Sequence, residues 1–116
     1  MPLSPLECLR HVLDETRFLM ARSTNVSKDE FVSDEALRRA FVRSLEIIGE
    51  ATKRLPPEWR QRYATVDWRA ISGIRDRLIR DYFGVDYDIV WDAATNKIPE
   101  LRATVERMIA EQDSEQ

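Results

Sequence analysis

Apolar residues recur three and four positions apart along most of this chain, which is the spacing of amphipathic helices. The first stripe follows Ser4-Pro5-Leu6-Glu7, where Ser4 suits a helix N-cap and Glu7 completes a capping box. We predict a helix from this box to about Arg22. A second capping box, Ser27-Lys28-Asp29-Glu30, predicts a short helical turn. The apolar positions of the first stripe are Leu6, Leu9, Val12, Leu13, Leu19 and Met20.

A long helix is predicted after Ser33-Asp34 and before Leu55-Pro56-Pro57, because proline cannot continue a helix. Gly49 lies inside this helix, where glycine costs about 1 kcal/mol relative to alanine. A close approach by another helix, within the monomer or across a dimer, would explain it. The predicted buried positions are Leu37, Ala40, Phe41, Ser44, Leu45, Ile48 and Ala51.

The stretch from Asp67 to Trp91 is the most informative part of the chain. We predict a helix that Asp67 caps and Gly84 ends, followed by a helix that begins at Asp86. A break at residues 96–99 precedes a last helix, with Pro99 in its first turn. Four main helices joined by short turns predict an all-α, up-and-down four-helix bundle. We assign residues 1–111 to one domain and 112–116 to a polar tail.

Composition narrows the class of protein. The chain has 116 residues, 43% of them hydrophobic and 34% charged, as in a soluble globular domain. No apolar run approaches the roughly 20 residues of a membrane span, and residues 1–9 do not resemble a secretory signal. The single cysteine, Cys8, cannot form an internal disulfide, so we expect a reducing, cytoplasmic location and a small core or interface residue.

Charge is distributed unevenly along the chain. The net charge is −3, but residues 53–80 contain 8 Lys/Arg against 3 Asp/Glu, whereas residues 81–116 contain 3 against 9. The basic segment could attract phosphate although the protein as a whole is acidic. An ordinary solvated surface explains the same pattern equally well.

Three other polar residues are weak candidates for chemistry. His11 is the only histidine, and a lone helical histidine is usually a surface or boundary residue. Glu46 and Glu50 are spaced as two potential metal ligands on one helix face, but no His or Asp cluster accompanies them. We therefore interpret Glu46 and Glu50 as exposed charges or as partners of arginine residues. We expect no metal and no cofactor.

The segment around Arg75 resembles the active-site helix of the HepT-like toxins of the HEPN superfamily. Their signature is an Arg, usually followed by Asn, then four to six residues to a His, one free position and a Tyr. Arg75 and Tyr82 match the Arg and the Tyr, whereas Asp76 stands at the Asn position and Arg80 at the His position. The run from Leu45 to Ala51 is also similar to a segment that precedes this motif in the family.

The resemblance implies a metal-independent endoribonuclease that acts as the toxin of a type VII toxin–antitoxin pair. It implies a homodimer in which two motif helices face a cleft, and an RNA substrate such as tRNA or mRNA. The partner would be a minimal nucleotidyltransferase antitoxin, which in some pairs transfers AMP to the motif tyrosine, here Tyr82. Supporting motif residues would be Asp76 and Asp81, and candidates for RNA binding are Arg69 and Arg77.

The replacement at position 80 bears on the chemistry. Metal-free RNA cleavage needs a cation to stabilise charge on phosphorus and a group to accept the proton of the ribose 2′-OH. Arg75 can supply the cation, but Arg80 cannot accept a proton because guanidinium stays charged in proteins. Asp76 and Arg80, spaced i and i+4, could form a helical ion pair. We therefore expect phosphate binding with impaired cleavage.

Several explanations remain open at this point. The chain could be a degenerate family member kept for binding, a toxin disarmed for expression, or an enzyme that uses Asp81, Tyr82 or Asp76 as its base. The alternative function is a non-catalytic helical dimer that binds RNA or a nucleotide and docks a nucleotidyltransferase. A four-helix interaction domain without any nucleic-acid role is a third possibility.

Overall fold

The computed structural model describes residues 3–81 and 84–114, with the backbone alone at residues 79–81. Helical segments account for most of these residues, which confirms the predicted all-α class. The helices are α1 (Pro5–Thr24), α2 (Lys28–Ser33), α3 (Glu35–Lys53), α4 (Pro57–Arg62), α5 (Trp68–Ser72), α6 (Ile74–Leu78), α7 (Tyr87–Asp92) and α8 (Ile98–Ser114). A π-helical turn (Ala93–Lys97) joins α7 to α8, and a minimal hairpin of β1 (Ile79–Asp81) and β2 (Gly84–Val85) follows α6.

Side-chain N-caps precede α1, α2, α3, α5 and α7. Ser4 accepts a hydrogen bond from the Glu7 backbone N–H at 3.1 Å, and the Glu7 carboxylate accepts one from Ser4 N–H at 3.3 Å. Ser27 and Glu30 repeat this capping box at the start of α2. Asp67 caps α5 by accepting the Ala70 N–H at 3.0 Å. These contacts confirm the predicted N-caps.

A single apolar core lies between α1, α3 and α8, with α2 and the α5–α7 segment packed against its sides. Aromatic side chains fill one end, where the rings of Phe31 and Phe41 lie 4.9 Å apart between centroids. Full burial of a large apolar side chain contributes about 1.5–3 kcal/mol, so these residues account for much of the stability of the fold. The largest fully buried side chains are Phe31, Phe41, Leu9, Leu19, Leu45, Ile48, Leu55, Leu78, Ile98, Leu101 and Met108.

Gly49 lies where α3 approaches α5 and α6. A Cβ atom at this glycine would lie 3.4 Å from the Ser72 carbonyl oxygen and 3.5 Å from that of Ile71. A hydrogen bond of 3.1 Å between the hydroxyls of Thr52 and Ser72 joins the same helices. Because the Thr52 hydroxyl donates to the Gly49 carbonyl, Ser72 is the donor in that bond. The predicted close helix approach is therefore confirmed, and it occurs within the monomer.

The helix predicted from Asp67 to Gly84 is shorter than expected. It is interrupted at Gly73, whose N–H donates to the Arg69 carbonyl at 3.0 Å, and it ends at Leu78. The Leu78 carbonyl accepts a hydrogen bond of 2.8 Å from the N–H of Asp86, a residue beyond the hairpin, instead of one from a helical N–H. The prediction that Gly84 ends this helix was wrong, because antiparallel pairing replaces the last helical turn.

The predicted break at residues 96–99 is a π-helical turn rather than a loop, and the last helix begins at Ile98 with Pro99 in its first turn, as predicted. The chain stays helical from α7 through the π turn into α8, and the Ile98 N–H donates to the Ala93 carbonyl. Pro99 explains the wider turn, because its ring would clash with the carbonyl of Thr95 in a regular helix. At its other end α8 reaches Ser114, which is inside the segment predicted as a polar tail.

No helix within residues 3–81 and 84–114 is long and apolar enough to cross a membrane.

Candidate functional site

Arg75 projects from the exposed side of α6. Its neighbours Ile74 and Leu78 are 3% and 1% exposed, and they anchor the short helix to the core. The Arg75 side chain itself is 58% exposed. Its Nε lies 3.6 Å from Oε2 of Glu46 on α3, whose side chain is 27% exposed. The predicted phosphate-binding residue is thus held against the segment of α3 that contains Gly49.

The contact with Glu46 is an ion pair rather than a hydrogen bond, because 3.6 Å exceeds the usual N–H···O range. An exposed pair of this kind contributes only about 0–1 kcal/mol to stability. The ion pair instead bears on the orientation of the Arg75 guanidinium, because Glu46 faces its Nε. No other ionic partner of Arg75 lies among the described side chains. The two terminal guanidinium nitrogens can therefore bind an oxyanion in the bidentate manner typical of arginine.

Glu46 is the site residue that the sequence indicated least directly. We interpreted Glu46 and Glu50 as exposed charges or arginine partners, and Glu46 is indeed the partner of Arg75. Glu50 instead lies 3.7 Å from Lys53 on its own helix. Gly49, which predicted a helix crossing one turn beyond Glu46, was the available signal. The described residues contain no group of three or more His, Cys, Asp or Glu that could hold a metal.

The rest of the predicted motif is described only in part. Arg80 and Asp81 belong to β1 by their backbone, and Asp81 pairs with Gly84. The side chains of Arg80 and Asp81, and the whole of Tyr82, lie outside the described residues.

Asp76 is described, and it lies exposed on α6. A helical ion pair with Arg80 needs both residues on one helix, and α6 ends at Leu78 between them. The helical geometry predicted for that pair was therefore wrong.

The arginines of the basic segment lie on different surfaces. Arg69 lines a shallow groove with Arg60, Gln61 and Trp68. Arg77 follows Arg75 by two positions, which turns it about 200° around the helix axis. It lines a cleft of about 180 Å³ between α5–α6 and α7–α8, together with Lys97 and three acidic residues, Asp67, Asp92 and Glu100. Among the described side chains of the basic segment, Arg69 and Arg77 therefore belong to separate grooves.

His11 and Cys8 occupy the groove between α1 and α3 that Glu46 also lines. His11 is exposed, as expected for a lone helical histidine. Cys8 is buried, and this burial raises the pKa of its thiol, with Arg54 opposing the effect and Glu7 adding to it. A buried thiol of raised pKa is unreactive, so Cys8 is the small core residue that we predicted.

Comparisons with known proteins agree with the family resemblance. The sequence model of a family described as "Ribonuclease HepT-like" matches residues 12–108. A candidate RNase of Caldanaerobacter subterraneus subsp. tengcongensis is 48% identical over 106 residues, which are 91% of this chain and 95% of that protein. A candidate RNase of Methanocaldococcus jannaschii is 36% identical over 92% of this chain and 88% of its own length. A protein of Thermococcus cleftensis named as a probable ribonuclease HepT is 30% identical over 93% of this chain and 98% of its own length. No solved structure matches significantly.

Proposed function

Because the chain belongs to the HepT-like ribonuclease family, we propose that it binds RNA at Arg75 as a metal-independent endoribonuclease whose cleavage step is impaired. The observation that carries this proposal is the exposed Arg75 guanidinium, whose Nε faces Glu46. No described side chain forms an ion pair with its terminal nitrogens, which would bind a phosphate on the exposed side of α6. A permanent cation with a forked donor geometry is the group that phosphate recognition requires.

In the proposed reaction the ribose 2′-oxygen attacks the adjacent phosphorus while the bond to the 5′-oxygen breaks. The products are a 2′,3′-cyclic phosphate and a free 5′-hydroxyl, and the proton lost by the 2′-OH is balanced by one gained by the leaving oxygen. Arg75 would stabilise the charge that develops on the phosphate oxygens. Arg80 stands at the family histidine position and cannot transfer protons near neutral pH. This chain should therefore bind RNA but cleave it poorly.

The biological setting follows from the family resemblance and is part of the proposal. We propose a homodimer that is the toxin of a type VII toxin–antitoxin pair, with a minimal nucleotidyltransferase as its antitoxin. Tyr82 would be the acceptor of AMP in that pair. Cellular RNA, either tRNA or mRNA, would be the substrate, and the cytoplasm would be the place of action.

A second candidate is a binding module without catalysis, and the arginine at position 80 favours it. Such a dimer would hold RNA or a nucleotide and dock the nucleotidyltransferase. Both candidates use Arg75 for phosphate, so they differ only in whether proton transfer can occur.

RNA cleavage in a buffer free of divalent metal separates these readings. The native chain is compared with a chain that carries Asp76→Asn and Arg80→His, and each is also made with Arg75→Ala as a matched control. We expect cleavage by the restored chain alone and its loss when Arg75 is removed. Cleavage by the native chain would contradict the proposed impairment. RNA binding without cleavage by either chain would favour the binding module, and the absence of binding at low salt would leave only an interaction domain.

A further inference from the structure

Glu46 on α3 and Arg75 on α6 meet where α3 packs against the α5–α6 segment, and other contacts hold these elements together independently of this ion pair. At Gly49, α3 passes close to the backbone of α5 and to Ile74 of α6, and the buried hydrogen bond between Thr52 and Ser72 links α3 to α5. Glu46 lies one helical turn before Gly49 on α3, so its position is set by this crossing rather than by Arg75. The Glu46 carboxylate is therefore held in position by the helix packing, and it can restrict the long, flexible side chain of Arg75.

We propose that Glu46 is a positioning residue, which holds the Arg75 guanidinium so that its two terminal nitrogens face the RNA phosphate. This inference rests on the proposed function, because it assigns a role to a second residue at the same site. Contact through Nε leaves the outer edge of the guanidinium to the ligand. Restricting the arginine before RNA arrives reduces the freedom that binding would otherwise remove.

Charge alone predicts the opposite effect. A carboxylate beside a phosphate site repels the phosphate, so neutralising Glu46 without any loss of position should strengthen RNA binding. Glu50 is the matched control for this charge repulsion, because it lies one turn further along α3 and its side chain is 56% exposed. It forms an ion pair with Lys53 rather than with Arg75. Positioning and charge therefore predict changes of opposite sign at position 46.

The test measures the binding of a 2′-O-methyl RNA oligonucleotide, which lacks the attacking hydroxyl, by fluorescence anisotropy. We expect Glu46→Gln to weaken binding about threefold, within the range of measured pairwise couplings. Glu50→Gln should leave binding unchanged or slightly tighter. In a chain that already carries Arg75→Ala, we expect Glu46→Gln to have no weakening effect, because a residue that acts through Arg75 has nothing left to position.

A second variant guards against a simple charge or folding effect. Glu46→Asp keeps the charge but shortens the side chain by one methylene, so the 3.6 Å contact to Arg75 is lost. We expect it to weaken RNA binding as Glu46→Gln does, while the thermal midpoint of each variant stays near that of the native chain. In the chain restored with Asp76→Asn and Arg80→His, Glu46→Gln should lower kcat more than it raises KM, because orientation matters most in the transition state.

The possible failures are distinguishable. If Arg75→Ala weakens RNA binding while Glu46→Gln behaves like Glu50→Gln, the positioning role is wrong and the proposed function stands. If Glu46→Gln weakens binding equally with and without Arg75, Glu46 acts elsewhere and the inference is overturned. If Arg75→Ala leaves RNA binding unchanged, the assignment of Arg75 to phosphate fails, and the proposed function fails with it.

Discussion

Replacing Gly49 with alanine should stabilise the protein, although this glycine lies at a close helix crossing. The added Cβ would meet the Ser72 carbonyl oxygen at 3.4 Å, and the Ile71 carbonyl oxygen and the Ile74 Cγ2 at 3.5 Å each. These are ordinary van der Waals distances, so the methyl group fits without displacing backbone. The substitution also removes a glycine from a helix interior, which is worth about 1 kcal/mol.

The two terms predict that Gly49→Ala raises the free energy of unfolding by about 0.5–1 kcal/mol, or the thermal midpoint by about 2–6 °C. Gly49→Val adds two methyl groups beyond Cβ, close to carbonyl oxygens that cannot move without the helix. We expect Gly49→Val to cost about 1–3 kcal/mol. It should also weaken RNA binding, because displacing α3 separates Glu46 from Arg75.

Urea unfolding followed by far-UV circular dichroism measures each free energy. Ala40→Gly is the matched control, because it lies in the same helix and reports the helix-propensity cost at a half-buried position. A gain for Gly49→Ala as large as the loss for Ala40→Gly would mean that the new contacts are neutral. If Gly49→Ala unfolds at lower urea than the native chain while Ala40→Gly shows its usual cost, the crossing is tighter than these distances indicate and the reasoning fails.

Two further predictions concern the cap of α5 and the buried thiol. Asp67→Ala should lower the free energy of unfolding by about 1 kcal/mol, because the N–H of Ala70 loses its acceptor. Asp67→Asn should be nearly neutral, because its side-chain oxygen can still accept this hydrogen bond. Equal urea unfolding curves for the two variants would contradict the capping role. Cys8 has a thiol pKa that burial raises, so its contribution to stability is complete below the pKa of the unfolded chain and is lost as pH rises through the folded pKa. The native chain should therefore lose stability from about pH 8.5 upward more than a Cys8→Ala chain does, and parallel pH profiles would refute this.

The sequence identified individual residues of the candidate site, but it did not predict their positions relative to one another. Arg75 was identified from its place in the motif, and the structure leaves it exposed on α6. The sequence placed Arg69 and Arg77 in the same basic segment, and the fold turns them toward different grooves. Arg69 lies on α5 and Arg77 on α6, and these two short helices are separated at Gly73, so the apolar spacing of one continuous helix did not predict where each side chain lies.

Local signals determined the beginnings of the helices. A cap and its N–H partner lie within three positions of each other, as at Ser4 and Asp67, so the sequence alone contains the whole interaction. The apolar stripes determined the all-α class and most of the core for the same reason, because helical spacing is a property of neighbouring residues.

Only the tertiary structure decided where the helix of Arg75 ends and which residue holds Arg75. The hairpin replaces the last predicted turns because Ile79 pairs with Val85 and the Leu78 carbonyl accepts the N–H of Asp86, and these partners come from beyond the turn. Glu46 reaches Arg75 because α3 packs closely against α5 and the start of α6 at Gly49. Contacts between distant segments depend on how helices cross, and neither helical spacing nor capping encodes that crossing.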